Sequence, residues 1–115
     1  MDIVKRFDIW TANIAVREKS CIQNGFRPVI IVSNDIANTH SSVVTIVPLT
    51  SKNKKPLPTH VLIDGQGLAK PSTVLCEQVT SIDKFDLCRC IGHVEKSEDR
   101  EAICHAIGIQ LSMAA

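Results

Sequence analysis

The sequence predicts a mainly β (α+β) domain in which a small, curled antiparallel sheet is followed by one C-terminal α-helix. Short runs of β-branched and other apolar residues recur between turn-forming residues through most of the chain. Helical spacing of apolar residues is found only near the C-terminus. The 115 residues suit one compact domain, and because no linker-like stretch divides the chain, residues 1–115 are expected to share one core.

The expected strands follow from hydrophobic patterning. Segment 7–14 alternates apolar and polar residues, as a half-buried strand does. Segment 27–33 is a β-branched run typical of a buried strand, and Pro28 suits its start because proline has no N–H to donate to a neighbouring strand. The remaining expected strands are 43–49, 59–63, 72–82 as one or two strands, and 91–94.

The expected helix begins after Ser97, whose hydroxyl is a suitable N-cap and is followed by two acidic residues that the helix dipole favours. Its mostly apolar stripe falls at i, i+3, i+4, i+7 and i+8, at Ile103, Ala106, Ile107, Gln110 and Leu111. Such a stripe is typical of a helix that covers one face of a sheet.

Polar segments separate the expected strands. Segment 15–26 is predicted to be a long loop, and loops of this length in compact domains are often functional. A turn region is expected from Asn34 to Ser42, and another turn at 64–67. Segment 51–58 is a loop with three lysines among polar residues and prolines.

Composition limits the classes of partner. The formal net charge of +1 argues against a globally basic nucleic-acid coat, but it leaves room for a local patch because phosphate contacts need only a few well-placed cations. No apolar run approaches the roughly 20 residues that span a bilayer. The N-terminus lacks the apolar region of a signal peptide. A cytoplasmic protein without a membrane partner is therefore expected.

The five cysteines are expected to be reduced thiols, since an odd number in a chain without an export signal does not indicate a disulfide framework. One zinc arrangement stays open, with Cys88, Cys90 and His93 joined by Cys104 or His105. The Cys-x-Cys spacing is tighter than zinc sites usually have. Small buried thiols that bind no metal are the favoured interpretation.

Four blocks in order carry a resemblance to a known family: FRPVIIVSND (26–35), VPLTSK (47–52), LPTHV (57–61) and LCEQVTSIDK (75–84). The opening VKRFDIW (4–10) and the closing IGIQL (107–111) also fit. Each block alone is weak, but in this order and without large gaps they resemble the MazF/PemK toxin family over nearly the whole chain.

The resemblance implies a fold described as an SH3-like barrel, a symmetric homodimer, and sequence-specific cleavage of single-stranded RNA without a metal or other cofactor. It also implies an antitoxin partner whose flexible segment covers the RNA groove. Two departures stand out. The family usually has glycine where Phe7 stands, and an acidic residue in the stretch that here reads Ile22 to Gly25. Because that stretch contacts RNA in the family, its divergence bears on the cleavage sequence.

RNA can be cut without a metal because its own 2′-OH can attack the adjacent phosphate, provided that the enzyme orients the attack, moves two protons and stabilises the extra negative charge. The resemblance implies that Arg27 and Thr50 are catalytic. A guanidinium binds two phosphate oxygens at once, and a threonine hydroxyl can donate one more hydrogen bond. Since a guanidinium hardly ever loses a proton, Glu77 or His60 is the hypothesised proton carrier.

The candidate RNA-binding residues lie beside these positions. In the basic loop, Lys52, Lys54 and Lys55 could attract phosphate next to Thr50. Bases are expected to be recognised by Gln23, Gln78 and backbone groups, because the chain has one tryptophan, three phenylalanines and no tyrosine to stack on them. Trp10 is expected in the core. The remaining RNA-binding candidates are Gly25, Ser51 and Thr59.

Two alternatives stay open. A toxin of the CcdB type shares this fold but poisons DNA gyrase, an activity associated with a C-terminal tryptophan motif that this chain, ending in Leu111 to Ala115, does not carry. The other is an RNA-binding domain of the same fold that has lost catalysis.

Overall fold

The computed structural model describes residues 3–14 and 25–113. Within them the chain forms a sheet and two α-helices. Single 3-10 turns lie at Cys76–Gln78 and Lys84–Asp86. The elements are β1 Asp8–Ile14, β2 Gly25–Ile31, α1 Asp35–His40, β3 Val43–Thr50, β4 His60–Ile63, β5 Ser72–Leu75, β6 Thr80–Asp83, β7 Leu87–His93 and α2 Ser97–Gln110. None of the helices among the described residues is both long and apolar enough to cross a membrane.

The seven strands form one sheet in the order β4-β5-β3-β2-β1-β7, with β6 pairing beside β3 off this path. Every described pair is antiparallel. Strand β3 holds the sheet together, because its first residues pair with β6 and its last two pair with β5. The predicted antiparallel sheet with a C-terminal helix is confirmed, although the sheet does not close, so the term barrel applies only loosely.

Alternation along the strands separates two hydrophobic clusters. Ile9 packs in one cluster with Ile30, and the neighbouring Trp10 packs in the other with Val29. Helix α2 covers the first cluster with its buried Ile103. The expected core position of Trp10 is confirmed, since its side chain is 4% exposed.

Several elements differ from the sequence expectation. Strand β2 begins at Gly25, which pairs with Ile14 although a loop was expected there, and the rest of that expected loop, residues 15–24, lies outside the described residues. Strand β7 begins four residues earlier than expected, because pairing with β1 makes a strand of the segment Leu87–Cys90, which has no β-branched residues. Helix α1 lies where a turn region was expected, and the Asn34 side chain caps it by accepting from the Ala37 N–H at 2.9 Å.

The start of α2 also differs. The N-cap is Lys96 and not Ser97, and no side chain of the helix's own segment caps it. A distant residue serves this end, because Gln66 Oε1 accepts from the N–H groups of Glu95 at 2.7 Å and Lys96 at 3.1 Å. At the other end, Leu111 is 51% exposed, so the apolar stripe is shorter than expected.

Phe7 has a left-handed backbone with φ of 71°, which explains why glycine suits this place in the resembling family. A residue with a side chain in this left-handed conformation lowers the free energy of unfolding by about 1 kcal/mol or more. Burial of the ring offsets that cost, and the guanidinium groups of Arg6 and Arg100 lie 4.8 Å and 5.2 Å from its centroid.

The cysteines are placed differently from the expectation of buried thiols. Cys76 is buried, but Cys88, Cys90 and Cys104 are exposed. Cys88 and Cys90 belong to β7, which lies at the edge of the described sheet and pairs there with β1, and Cys21 lies outside the described residues. Burial, reinforced by the charge of Glu77, raises the pKa of the Cys76 thiol to about 12, so this thiol is inert at neutral pH.

Candidate active site

Arg27 and Thr50 line one hollow of about 290 Å³. Arg27 is half-buried near the start of β2, and Thr50 is the buried last residue of β3. The full lining is Thr11, Arg27, Pro28, Leu49, Thr50, Ser51, Leu68, Ala69, Lys70, Ser72 and Ile91. The two residues that the sequence put forward as catalytic therefore face a shared space.

The pairing of β2 with β3 brings these two residues together. Val29 is the register partner of Pro48, and Ile30 is the partner of Val47. Arg27 and Thr50 each lie two residues beyond the last paired residues, Val29 and Pro48, at the same end of the two strands. Neighbouring strands lie about 4.8 Å apart, so both side chains can reach one small anion.

The Thr50 hydroxyl is held in a local turn. Its Oγ1 accepts a hydrogen bond from the Lys52 N–H at 3.2 Å, the geometry by which threonine side chains mimic a backbone turn. Because Oγ1 acts as the acceptor in this bond, its own O–H can donate into the hollow.

The charge of the hollow is positive. Its lining contains the two cations Arg27 and Lys70, three hydroxyl side chains besides that of Thr50, and no carboxylate among the described residues. The Thr11 and Ser72 hydroxyls donate to backbone carbonyl oxygens, but two cations together with the Thr50 hydroxyl favour an anion such as a phosphodiester.

A second hollow, of about 420 Å³, adjoins the first through Ser51, which lines both. It contains the predicted RNA-binding residues Lys52 and Lys54, and His60 lies at its wall. Exposed Leu57 and Leu62 add an apolar surface that a base could cover. A nucleic-acid strand could pass from one hollow to the other.

His60 and Glu77 are paired. His60 Nε2 lies 3.0 Å from Glu77 Oε2, and His60 Nδ1 lies 3.1 Å from the Lys55 carbonyl oxygen. A carbonyl oxygen only accepts, so Nδ1 is the donor in the bond to Lys55, and Nε2 faces the carboxylate. Thr59, which is buried, donates to Glu77 Oε1 at 3.3 Å.

A third hollow, of about 580 Å³, is lined by Glu77 and Gln78 together with β6.

The structure brings Arg27 together with Thr50, and His60 together with Glu77, but the His60–Glu77 pair does not line the hollow of Arg27 and Thr50. Gln23 lies outside the described residues. Gly25 starts β2, and Thr59 supports Glu77 from a buried position.

Sequence reasoning missed Lys70 and Ser72 of the first hollow. Lys70 lies in the segment between β4 and β5, and Ser72 is the first residue of β5. Their contribution depends on where the fold places that segment against β2 and β3, so no sequence signal could have singled them out.

The zinc arrangement is not formed. The Arg100 guanidinium donates to His93 Nε2 at 2.8 Å, so Nδ1 carries the ring proton and donates to Asp8 at 2.7 Å. Both ring nitrogens are thereby occupied. Among residues 3–14 and 25–113, no three His, Cys, Asp or Glu side chains converge as metal ligands would.

Comparison with known families supports a relation over nearly the whole chain. A model of the family described as PemK-like, MazF-like toxin of type II toxin–antitoxin system matches residues 5–111. Among curated proteins, Endoribonuclease EndoA of Bacillus subtilis (strain 168) is 36% identical over 114 residues, covering 96% of this chain and 97% of that protein.

Solved structures are similar in fold. The Mycobacterium tuberculosis toxin MazF-mt6 has a TM-score of 0.78 at 28% identity, covering 94% of this chain and 99% of that one. An endoribonuclease in complex with its cognate antitoxin from a mycobacterial species has a TM-score of 0.81 at 22% identity, covering 97% of this chain and 98% of that one. At that identity the second likeness concerns the fold alone.

Proposed function

The chain belongs to the PemK-like, MazF-like toxin family of type II toxin–antitoxin systems, and on this premise we propose that it is an endoribonuclease toxin that cuts single-stranded mRNA. The observation that carries the proposal is the hollow shared by Arg27 and Thr50, which has two cations and no carboxylate in its described lining. The relative EndoA, 36% identical, is itself named an endoribonuclease. Since its substrate would be mRNA, the toxin would act in the cytoplasm.

The proposed reaction is transfer of the phosphoryl group within the RNA. The 2′-oxygen forms a bond to phosphorus, and the bond from phosphorus to the 5′-oxygen of the next nucleotide breaks. The 2′-OH loses one proton and the leaving 5′-oxygen gains one. The products are a 2′,3′-cyclic phosphate and a 5′-OH, and the reaction consumes no water and needs no metal, because side chains supply the charge.

Arg27 and Thr50 stabilise the transition state in this proposal. The phosphorane carries more negative charge than the starting phosphodiester, and the guanidinium can bind two of its oxygens at once. Thr50, at the end of the neighbouring strand β3, donates a neutral hydrogen bond to the same phosphorane. Both groups lie on strands of the central sheet, which hold them in place before the RNA binds.

The His60–Glu77 pair carries the proton in this proposal, and His60 lines the hollow that adjoins the Arg27 hollow through Ser51. The variants Glu77→Gln and His60→Gln are expected to remove one limb of the pH–rate profile, because neither can exchange the proton that the pair shares. His40→Gln, at the exposed end of α1, is the control and should keep the wild-type profile. A lower cleavage rate with an unchanged pH–rate profile would mean that the pair only positions the basic loop 51–58, whose Lys55 carbonyl contacts His60.

The proposed partners are a second copy of the chain and an antitoxin. Exposed Leu111 and Met113, at the end of α2, border a hollow of about 820 Å³ and offer apolar surface for a symmetric contact. The antitoxin would lay a flexible segment over the positively charged hollows and compete with RNA. A solution mass of a single chain would contradict the homodimer.

The function is tested by incubating the purified protein with a defined single-stranded RNA in the presence of EDTA. We expect discrete fragments that end in a 2′,3′-cyclic phosphate at one side of each cut and a 5′-OH at the other. RNA that is bound but intact would indicate a binding domain. Intact RNA with inhibited gyrase would indicate a gyrase poison. Cleavage that EDTA abolishes would contradict the metal-independent chemistry.

A further inference from the structure

The segment between β4 and β5, residues 64–71, is built to present Lys70. It has no regular secondary structure, yet Leu68 packs against the core cluster under α2, and Lys70 lines the hollow of Arg27 and Thr50. An exposed lysine on an unanchored loop would contribute little, because its side chain is flexible. The contacts that anchor residues 64–71 therefore bear on what Lys70 can do.

Gln66 anchors one end of the segment. Its Oε1 accepts from the Glu95 and Lys96 N–H groups, and its Nε2 donates to Asp99 Oδ2 at 3.0 Å. Its backbone oxygen accepts from the His93 N–H at 3.3 Å. Gln66, whose backbone has a left-handed φ of 58°, thus ties the segment to β7 and to the start of α2.

A close approach of two backbones reinforces this anchor. A Cβ on Gly67 would lie 2.2 Å from the Ile91 oxygen, and a Cβ on Gly92 would lie 2.0 Å from the Gln66 oxygen. Only glycine fits at both positions. The left-handed backbone at Gln66 is retained because these surroundings fix it, which is common at functional sites.

The other end of the segment is fixed at Lys70 itself. The buried Ser72 donates from its hydroxyl to the Lys70 carbonyl oxygen at 2.9 Å. Pro71 restricts the intervening backbone. The Lys70 backbone is therefore held at the edge of the hollow, and only its side chain is free to follow a ligand.

From this geometry we propose that Lys70 is the second cation that contacts the scissile phosphate, and that Gln66 is the positioning residue that holds it there. The inference rests on the proposed function. A phosphodiester carries one negative charge and the phosphorane up to two, so Arg27 alone leaves part of the charge uncompensated. Lys52 and Lys54 line the adjoining hollow, which leaves Lys70 as the lysine in the described lining of the Arg27 hollow.

The test compares Lys70→Met, Lys70→Arg and the control Lys5→Met, an exposed lysine before β1. With cleavable RNA, Lys70→Met should lower kcat about 100-fold, the scale of a lost preorganised charge contact, and Lys70→Arg should restore most of it. With RNA that is 2′-deoxy at the cut, Lys70→Met should reduce the slope of log K against log salt by about 0.7, the value for one phosphate contact on a single strand.

Lys5→Met should leave both quantities at the wild-type value. If wild-type protein cuts RNA and Lys70→Met keeps the wild-type kcat or the wild-type salt slope, the inference about Lys70 is overturned while the proposed function stands. If wild-type protein does not cut RNA, the proposed function fails first.

Gln66 is tested through a double-mutant cycle with Lys70. Gln66→Ala should lower kcat in the wild-type background and change it little in the Lys70→Met background, because Gln66 acts through Lys70. Rates are measured well below the thermal unfolding midpoint of each variant. An equal loss of kcat in both backgrounds would overturn the positioning role, since a general loss of structure acts on either background alike.

Discussion

Replacing Arg27 with lysine is expected to abolish nearly all RNA cleavage while most RNA binding remains. Lysine keeps the positive charge in the hollow but cannot bind two phosphate oxygens in the planar geometry of a guanidinium. The loss should fall on kcat by about 10²–10³-fold, as when one preorganised donor to a developing charge is removed. Single-turnover cleavage and the binding of RNA with a 2′-deoxy nucleotide at the cut measure the two effects separately.

Arg89→Lys is the matched control for this variant. Arg89 is exposed on β7 and lines none of the hollows described above, so the same chemical change there should leave the cleavage rate unchanged. Full cleavage by Arg27→Lys would refute the proposed charge role. An equal loss of binding and cleavage would reduce that role to substrate binding.

Replacing Thr50 with valine is expected to lower the cleavage rate about 100-fold, because the shape of the side chain is kept and its hydroxyl donor is lost. The fold should tolerate the change. The Lys52 N–H loses its acceptor at 3.2 Å, but Lys52 is exposed and water can replace that bond, so the stability cost is about 1 kcal/mol. Cleavage rates and thermal unfolding together distinguish lost chemistry from lost structure.

Thr50→Ser should recover most of the rate, since it restores the hydroxyl. Thr39→Val, on the exposed side of α1, removes a hydroxyl outside the four hollows described above and should cut RNA as the wild type does. If Thr50→Val also cuts RNA at the wild-type rate, Thr50 is only a turn residue, and the hollow needs another donor.

The strands with strong apolar patterns could be predicted from the sequence, and the elements that depend on tertiary pairing could not. β1 and β3 were expected nearly at their observed bounds because alternation and β-branched runs are local signals. The first part of β7, Leu87–Cys90, lacks such a pattern and is a strand because β1 offers it an edge. The observed start of α2 differs from the expected one for a related reason. The N–H groups at that end are bound by the side chain of Gln66, which is distant in sequence.

The residues of the candidate site likewise include some that the sequence predicted and some whose place depends on tertiary contacts. Arg27 and Thr50 could be put forward because they stand in blocks that resemble a family, and the β2–β3 register then places them together. The contact between His60 and Glu77 could not be read from their separation in sequence. Lys70 could not be identified from the sequence, because its segment has no pattern of apolar residues. Its position depends on the close approach of Gly67 and Gly92 to neighbouring backbone and on the hydrogen bonds of Gln66.

The most direct test is a crystal structure of the protein with a single-stranded RNA whose nucleotide before the cut is 2′-deoxy, so that the strand binds but cannot react. We predict that the phosphate at the cut lies in the hollow, with its oxygens within hydrogen-bond distance of the Arg27 guanidinium and the Thr50 hydroxyl. A phosphate at the cut that is bound elsewhere on the domain, with Arg27 and Thr50 both out of reach, would contradict the account.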